Sequence, residues 1–232
     1  MPSLKTAPKR ASTFIKTLVI GDSGSGKTTL LGTFPKPYVC DFDGKGTDLL
    51  AGVDGWLEGY VGGWERFKAD LKIWQKTGLP EDCLTVGIDS LTFAADEALK
   101  AAMAKAGNSG NATQADWGRA IKDVKDVLGA LTTLPCNVIV NVHVQVEKDE
   151  LLGGIIWQPS IFGRQLPSQL PGYFDDVWST RITPLVAGGA KYELLTRPDT
   201  RLKMLKNSAK GAWDAVETPN YNHLLNKLKE KK

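Results

Sequence analysis

The stretch LVIGDSGSGKTT at residues 18–29 limits what this chain can fold into more than any other part of it. An apolar strand must run into a glycine-rich loop, and the loop must open a helix. Residues Gly21 to Thr28 fit the pattern G-x-x-x-x-G-K-[ST] without a mismatch. At ordinary composition a chain of this length meets that pattern by chance roughly once in a hundred. Its glycines let successive backbone N–H groups converge on phosphate oxygens, and the following helix points its positive end at the same anion. Gly21, Asp22, Ser23, Gly24, Ser25 and Gly26 are the expected cradle, continued by Lys27, Thr28 and Thr29. Lys27 is expected to reach the β- and γ-phosphates, and the Thr28 hydroxyl to coordinate Mg²⁺. ATP and Mg²⁺ are the expected ligands.

The rest of the chain alternates strands and helices. The first strand is expected at 16–21, with a helix from about Gly26, and the second strand at 37–42. Trp64, Phe67, Leu71 and Trp74 recur at helical spacing and predict an amphipathic helix. A third strand, 84–88, ends at Asp89, and alanine-rich helical sequence follows to about 106. After a polar loop at 107–115, Trp117, Ile121, Val124, Leu128 and Leu131 mark one face of a long helix ended by Pro135. Residues 137–144, NVIVNVHV, read as a strand covered on both faces. A long loop is expected over about 147–172, then strands at 177–183, 191–197 and 201–206. The fold class is α/β: a mainly parallel central sheet with helices on both faces and an antiparallel C-terminal hairpin. The expected divisions are a flexible basic segment at 1–13, the main domain at 14–210 and an extension with a short basic helix at 211–232.

A nucleotide loop of this kind needs a carboxylate at a nearby strand end to hold the metal. Asp89 is that candidate, with Ser90 after it. Hydrolysis also needs a group to orient or deprotonate water. Asp41 and Asp43 end the second strand, and Asp43, further past the strand end, is favoured; the other reading makes both aspartates turn formers before Gly44. Asn141 and His143 close the fourth predicted strand, where a polar side chain could report the γ-phosphate; a histidine in an apolar strand is otherwise a satisfied core residue.

Composition excludes several classes. The 232 residues are 42% hydrophobic and 24% charged, as in ordinary globular domains, and the net charge of +3 gives no overall basic field. Cations gather at the ends, at Lys5, Lys9, Arg10 and Lys16 and at Lys227, Lys229, Lys231 and Lys232, either as solvated tails or as contacts to a polyanion. Cys40, Cys83 and Cys136 form no C-x-x-C pair, so neither a zinc knuckle nor a disulfide framework is supported. No apolar run approaches the roughly 20 residues of a membrane helix, and no secretory leader is apparent. A cytoplasmic protein without a membrane partner is expected.

In this order the segments resemble the RecA-like recombinase ATPase core along residues 16–208. The resemblance rests on the phosphate loop, on VCDFD with Asp43, on GIDSL with Asp89 and Ser90, and on IVNVHV, which is similar to the Gly-His-Val segment of RadA proteins and favours His143. RLKMLKNS resembles the segment in which that family places a cation on the neighbouring subunit's nucleotide, a role that falls to Lys206. RadA-like chains read Lys-Asn-Arg there and this one Lys-Asn-Ser, so a second cation is missing. The family's DNA-binding loops correspond to about 104–117 and 147–170. The second contains Lys148, Trp157 and Arg164, cations with a stackable ring, alongside Phe162 and the opposing charges of Glu147, Asp149 and Glu150. Such loops can equally be subunit contacts. A core this short is similar to phage-encoded RecA-like single-strand annealing ATPases. The resemblance implies ATP hydrolysis, single-stranded DNA binding, annealing or strand exchange, and a homo-oligomeric ring or filament with nucleotide between subunits. It also implies a single-strand-binding protein as a working partner.

Three other readings stay open at this point. A small-molecule kinase would need arginines on the 147–172 segment, where Arg164 stands alone. A GTPase is opposed by the lack of an N-K-x-D motif, although Asp41-Phe-Asp-Gly44 mimics D-x-x-G. A nucleotide-dependent adaptor would bind ATP with little turnover and no DNA.

Overall fold

The computed structural model describes residues 14–44, 49–80, 82–148, 153–209 and 211–230. The predicted basic segment 1–13, the acidic pair Asp149 and Glu150, and the terminal Lys231 and Lys232 lie outside them. Strand β1 (Lys16–Gly21) is central, with parallel neighbours β5 (Asn137–Lys148) and β7 (Asp176–Pro184). Beyond β5 come β4 (Thr85–Asp89), β2 (Pro37–Asp41) and β3 (Trp56–Gly59), all parallel. On the other side β8 (Ala190–Leu195) and β9 (Val216–Glu217) are antiparallel, and β6 (Ile155–Pro159) pairs only with β5.

Strand alternation sorts the apolar side chains into two layers. Leu18, Ile20, Cys40, Val86, Ile88, Val138, Val140 and Val142 face helices α2 (Trp64–Thr77), α3 (Leu91–Lys105) and α4 (Gln114–Thr133). Val19, Val39, Ile139 and Trp178 face the short helix α1 (Lys27–Gly32) and the C-terminal helix, α6 (Tyr221–Glu230) after the four-residue α5 (Leu166–Gln169). Gly87 lies on that second face because α1 presses against it: a Cβ there would meet Leu31 Cδ1 at 2.4 Å.

Local chemistry sets the ends of these helices. Thr113 and Asp116 form a reciprocal capping box at the start of α4, and Asn108 also donates to the Asp116 carboxylate. These bonds, the Thr113 hydroxyl first, hold the Asp116 carboxyl well below the usual carboxylate range. The helix ends before Pro135, as the sequence requires. In α2 the four predicted residues, Trp64, Phe67, Leu71 and Trp74, are the buried ones. In α4 the buried edge differs from the expected face. Ala120 and Val127 are buried with Val124, Leu128 and Leu131, whereas Trp117 and Ile121 are half-buried beneath Phe162 and Gly163.

Besides the two-residue strand β9, which was not expected, three stretches depart from expectation. Strand β3 was not predicted; it is four residues long and lies at the sheet edge, so strand 84–88 is the fourth in the chain and not the third. The supposed loop from 147 begins as a β-hairpin, because β5 runs on to Lys148 and pairs with β6. Trp157 therefore sits in a strand, opposite Val146. Residues 201–206 are not a strand: Leu202 and Leu205, three apart, are the buried pair, and one bridge joins Lys206 to Val177. The antiparallel hairpin is β7–β8.

The start of β7 yields a pH-dependent prediction. Asp176 is 2% exposed, and burial pushes its carboxyl up to about 6 even though Ser208 donates both its N–H and its hydroxyl. The folded chain therefore holds this proton at pH values where the unfolded chain, with a carboxyl near 4, has lost it. Stability from this group is full below about pH 4, falls between 4 and 6, and stays low above, a loss of about 3 kcal/mol for a shift of two units. Urea unfolding of Asp176→Asn, which keeps an acceptor for Ser208, is expected to lack that decline. Parallel curves for the variant and the native chain from pH 4 to 7 would contradict this.

Candidate nucleotide site

The carboxyl ends of β1, β2, β4 and β5 meet α1 on the second face of the sheet. Asp41 pairs in register with Asp89, and Val19 with Asn141, so alternation brings Asp41, Asp89 and Asn141 side by side under α1. The loop between β1 and α1 turns at Gly24 and Gly26, whose φ values of 76° and 94° favour glycine. Gly21 is held tightly: a Cβ on it would stand 2.4 Å from Thr180 Oγ1 and 2.5 Å from Ser25 Oγ. Those two hydroxyls bond each other at 2.7 Å and tie the loop to β7.

Within this frame Lys27 is buried, and its ammonium donates to the carbonyls of Gly21 (2.8 Å) and Asp22 (2.7 Å). Burial lowers its pKa, and the charges of Asp89, Asp22 and Asp43 work against that shift. The Thr28 hydroxyl donates to Asp89 Oδ2 at 2.5 Å, and Asn141 Nδ2 donates to Asp89 Oδ1 at 3.1 Å. Burial raises the Asp89 carboxyl; the bonds from Thr28 and Asn141 and the Lys27 charge pull the other way. Two buried polar atoms beside Asp89, Asn141 Oδ1 and Ser90 Oγ, have no hydrogen-bond partner among the described residues.

The Asp41 carboxylate is occupied: its Oδ1 accepts from Asp43 N–H at 3.1 Å and Gly44 N–H at 2.8 Å, closing the turn after β2. Asp43 is half-buried and lines the cavity above the loop, of about 490 Å³, together with Lys27, Thr28, Asp89 and His143. His143 pairs in register with Gly21 and meets the Phe93 ring edge-on at 5.7 Å. Lys206 lies outside this group. Its partner Val177 is level with Leu18, three residues below Gly21, and Lys206 adds a positive field at Asp176.

The three residues singled out for DNA separate. Lys148 and Trp157 share one face of the β5–β6 hairpin, two residues apart along it, and Lys148 is exposed. Exposed Arg164 follows Phe162 and Gly163, which rest on α4. The cavity also has walls that sequence reasoning missed, namely Leu49, Pro219 and Tyr192, whose ring lies 3.1 Å from the Cβ position of Gly26. No motif surrounds them; an aromatic between Lys191 and Glu193 reads as an ordinary strand residue. Apolar and aromatic walls at the mouth suit a nucleobase, and hydroxyl, carboxylate and ammonium below suit phosphate and metal.

A hydroxyl and a carboxylate oxygen in contact beside the loop are the donor set a hard cation takes, so Thr28 and Asp89 fit Mg²⁺. Among the described residues no cluster of three or more His, Cys, Asp or Glu side chains stands ready for a metal. Magnesium at this site would therefore draw further ligands from phosphates and water.

A glycine loop between the central strand and its helix, with a buried acidic residue on a parallel strand alongside, defines a P-loop nucleotide-binding domain. The chain belongs to the AAA-domain family, an ATPase family, whose profile matches residues 13–215. Among curated proteins none matches it. No helix among the described residues is long and apolar enough to cross a membrane.

Proposed function

We propose that the chain is an ATP-hydrolysing protein that binds single-stranded DNA and promotes strand annealing or exchange as a homo-oligomer with nucleotide between subunits. The observation that carries the hydrolytic part is the Thr28–Asp89–Asn141 chain beneath the phosphate loop, buried at Asp89 and Asn141, with the unsatisfied Asn141 Oδ1 next to it. Lys27 exchanges its two loop carbonyls for phosphate oxygens as ATP binds. Thr28 and Asp89 would hold magnesium, which would neutralise phosphate charge there. Asn141 pins one Asp89 oxygen, so the other stays aimed at Thr28. Asp43, on the cavity wall, orients the attacking water, and His143, beside Gly21, senses the terminal phosphate. Preorganised charge of this kind is the main catalytic resource in phosphoryl transfer.

The DNA part is supported by the resemblance of the segment order to recombinase cores and by the hairpin that leaves the site along β5. It is tested by ATP hydrolysis with and without single-stranded DNA, and by strand binding at two salt concentrations. Stimulation by DNA and a steep salt slope are expected; no strand binding with ATP or a non-hydrolysable analogue overturns it. Lys206, remote from its own chain's loop, is assigned to the neighbour's nucleotide. Lys206→Ala is expected to reduce assembly and hydrolysis several-fold while monomer ATP affinity holds. Unchanged oligomer size and turnover would remove that assignment.

A further inference from the structure

A second cavity, of about 300 Å³, opens on the other side of the phosphate loop. Its floor is the loop itself, with Asp22 and Ser23 and the Ser25–Thr180 hydrogen bond. Its walls are Trp157 from β6, Arg181 from β7, and Asp199 and Arg201 from the segment after β8. The two arginines differ. Arg181 is bound through Nε and a terminal nitrogen to Glu193, whose carboxyl is held down at about 2 by Lys191, Thr183 and Arg181. Arg201 is exposed, and among the described residues it has no carboxylate in salt-bridge range. Its guanidinium lies 5.6 Å from the centre of the Trp157 ring, and its carbonyl accepts the Trp157 N–H at 3.0 Å. Asp199 Oδ1 accepts the N–H groups of Arg201 (2.8 Å) and Leu202 (2.6 Å), which fixes the backbone that presents the arginine.

The geometry points to a site for one nucleotide unit of a single strand, with its base on Trp157 and its phosphate on Arg201; this rests on the DNA-binding reading above and gives it a location. The half-buried indole offers a stacking face once the unpaired guanidinium over it turns to a phosphate, so the pair supplies both things a strand needs, a ring and a cation. The charge balance selects the form of the ligand. Asp22 and Asp199 also line the cavity and outnumber its one unpaired guanidinium, which opposes the dianion of a free mononucleotide about twice as strongly as the single charge of a phosphodiester and makes a cation outside the cavity necessary. Lys148, two residues further along the same hairpin face, gives the strand a second cation on its way out. Because the floor is the phosphate loop, an occupant here and ATP on the other side share one wall. Any effect of one on the affinity of the other must then be mutual.

The test is binding of a fluorescently labelled oligothymidylate to the full chain by anisotropy, with Mg²⁺ and a non-hydrolysable ATP analogue, at two salt concentrations. Trp157→Ala and Arg201→Ala are each expected to weaken oligonucleotide binding on the order of ten-fold, Trp157→Phe far less, with affinity for the analogue unchanged. Arg201→Ala should also lower the salt slope by about one. Arg201 is exposed, so that variant tests the site even if Trp157→Ala disturbs the hairpin. Native-like oligonucleotide affinity in Arg201→Ala and Trp157→Ala overturns the site while the DNA-binding reading stands. Displacement of the oligonucleotide by thymidine monophosphate at equal phosphate concentration overturns the preference for a strand. Failure of the unaltered chain to bind oligonucleotide overturns both, and is recognised because no variant is involved.

Discussion

Lys27→Ala is expected to weaken ATP binding by at least about 100-fold, measured by calorimetric titration or with a fluorescent ATP analogue. Lys27 is 6% exposed and its ammonium already sits among acceptors, the carbonyls of Gly21 and Asp22, so little reorganisation separates its resting place from a phosphate. Charged hydrogen bonds contribute about 1.5–3 kcal/mol each, so losing two costs about 3–6 kcal/mol, a factor of roughly 100 to 10,000. The carbonyls it frees belong to Gly21, buried at the end of β1, and to Asp22, exposed in the loop, so urea unfolding of the variant is measured alongside to separate lost binding from lost fold. Affinity within about three-fold of the native chain would mean that the loop does not hold the triphosphate as described.

The largest loss of stability is expected from Trp213→Ala. Trp213 is 1% exposed, meets Trp178 edge-on at 5.2 Å, and donates its indole N–H to the Leu224 carbonyl in α6 at 3.0 Å. Truncating a buried tryptophan costs about 3–5 kcal/mol, a large part of the stability of an ordinary domain. The same change should loosen α6, which is also anchored by Tyr221 through its N–H to Thr33 Oγ1 and its ring on Phe34. Since Pro219 of the nucleotide cavity lies between these two anchors, ATP affinity should fall with stability. A denaturation midpoint corresponding to less than about 1 kcal/mol of loss would show that the C-terminal segment is not docked on the α1 face.

The parts of the fold that could be read in the sequence are those where one physical signal acts alone. The phosphate loop is dictated by backbone conformation, and α2 by a four-residue apolar stripe on a surface helix. Strand β3 could not be read because an edge strand of four residues, exposed at Trp56, has neither length nor alternation to announce it. Residues 201–204 alternate polar and apolar side chains after the Pro198-Asp199 turn, which reads as the start of a strand. Asp199 instead folds the backbone into a turn, and the Leu202–Leu205 spacing of three then carries the burial. In the site, the P-loop residues, Asp43 and Asp89 stand at strand or loop ends, whereas Asn141 and His143 lie inside β5, level with the end of β1, so the expected strand end at 144 is not one and the parallel register gathers them instead. Tyr192, Pro219, Arg201 and the Ser25–Thr180 bond depend on which distant segments fold over the loop, and no local pattern encodes that.

Strand β5 has a mechanical consequence. Its twelve residues, NVIVNVHVQVEK, contain neither glycine nor proline, and they run unbroken from the middle of the parallel sheet into the arm of the hairpin. A protruding arm is ordinarily joined to its sheet by a bend that absorbs load. Here the arm and the strand carrying Asn141 and His143 are one beam without a joint. A displacement at Lys148, or at Trp157 through its pairing with Val146, therefore has one continuous strand by which to reach Asn141 and His143 beside the phosphate loop.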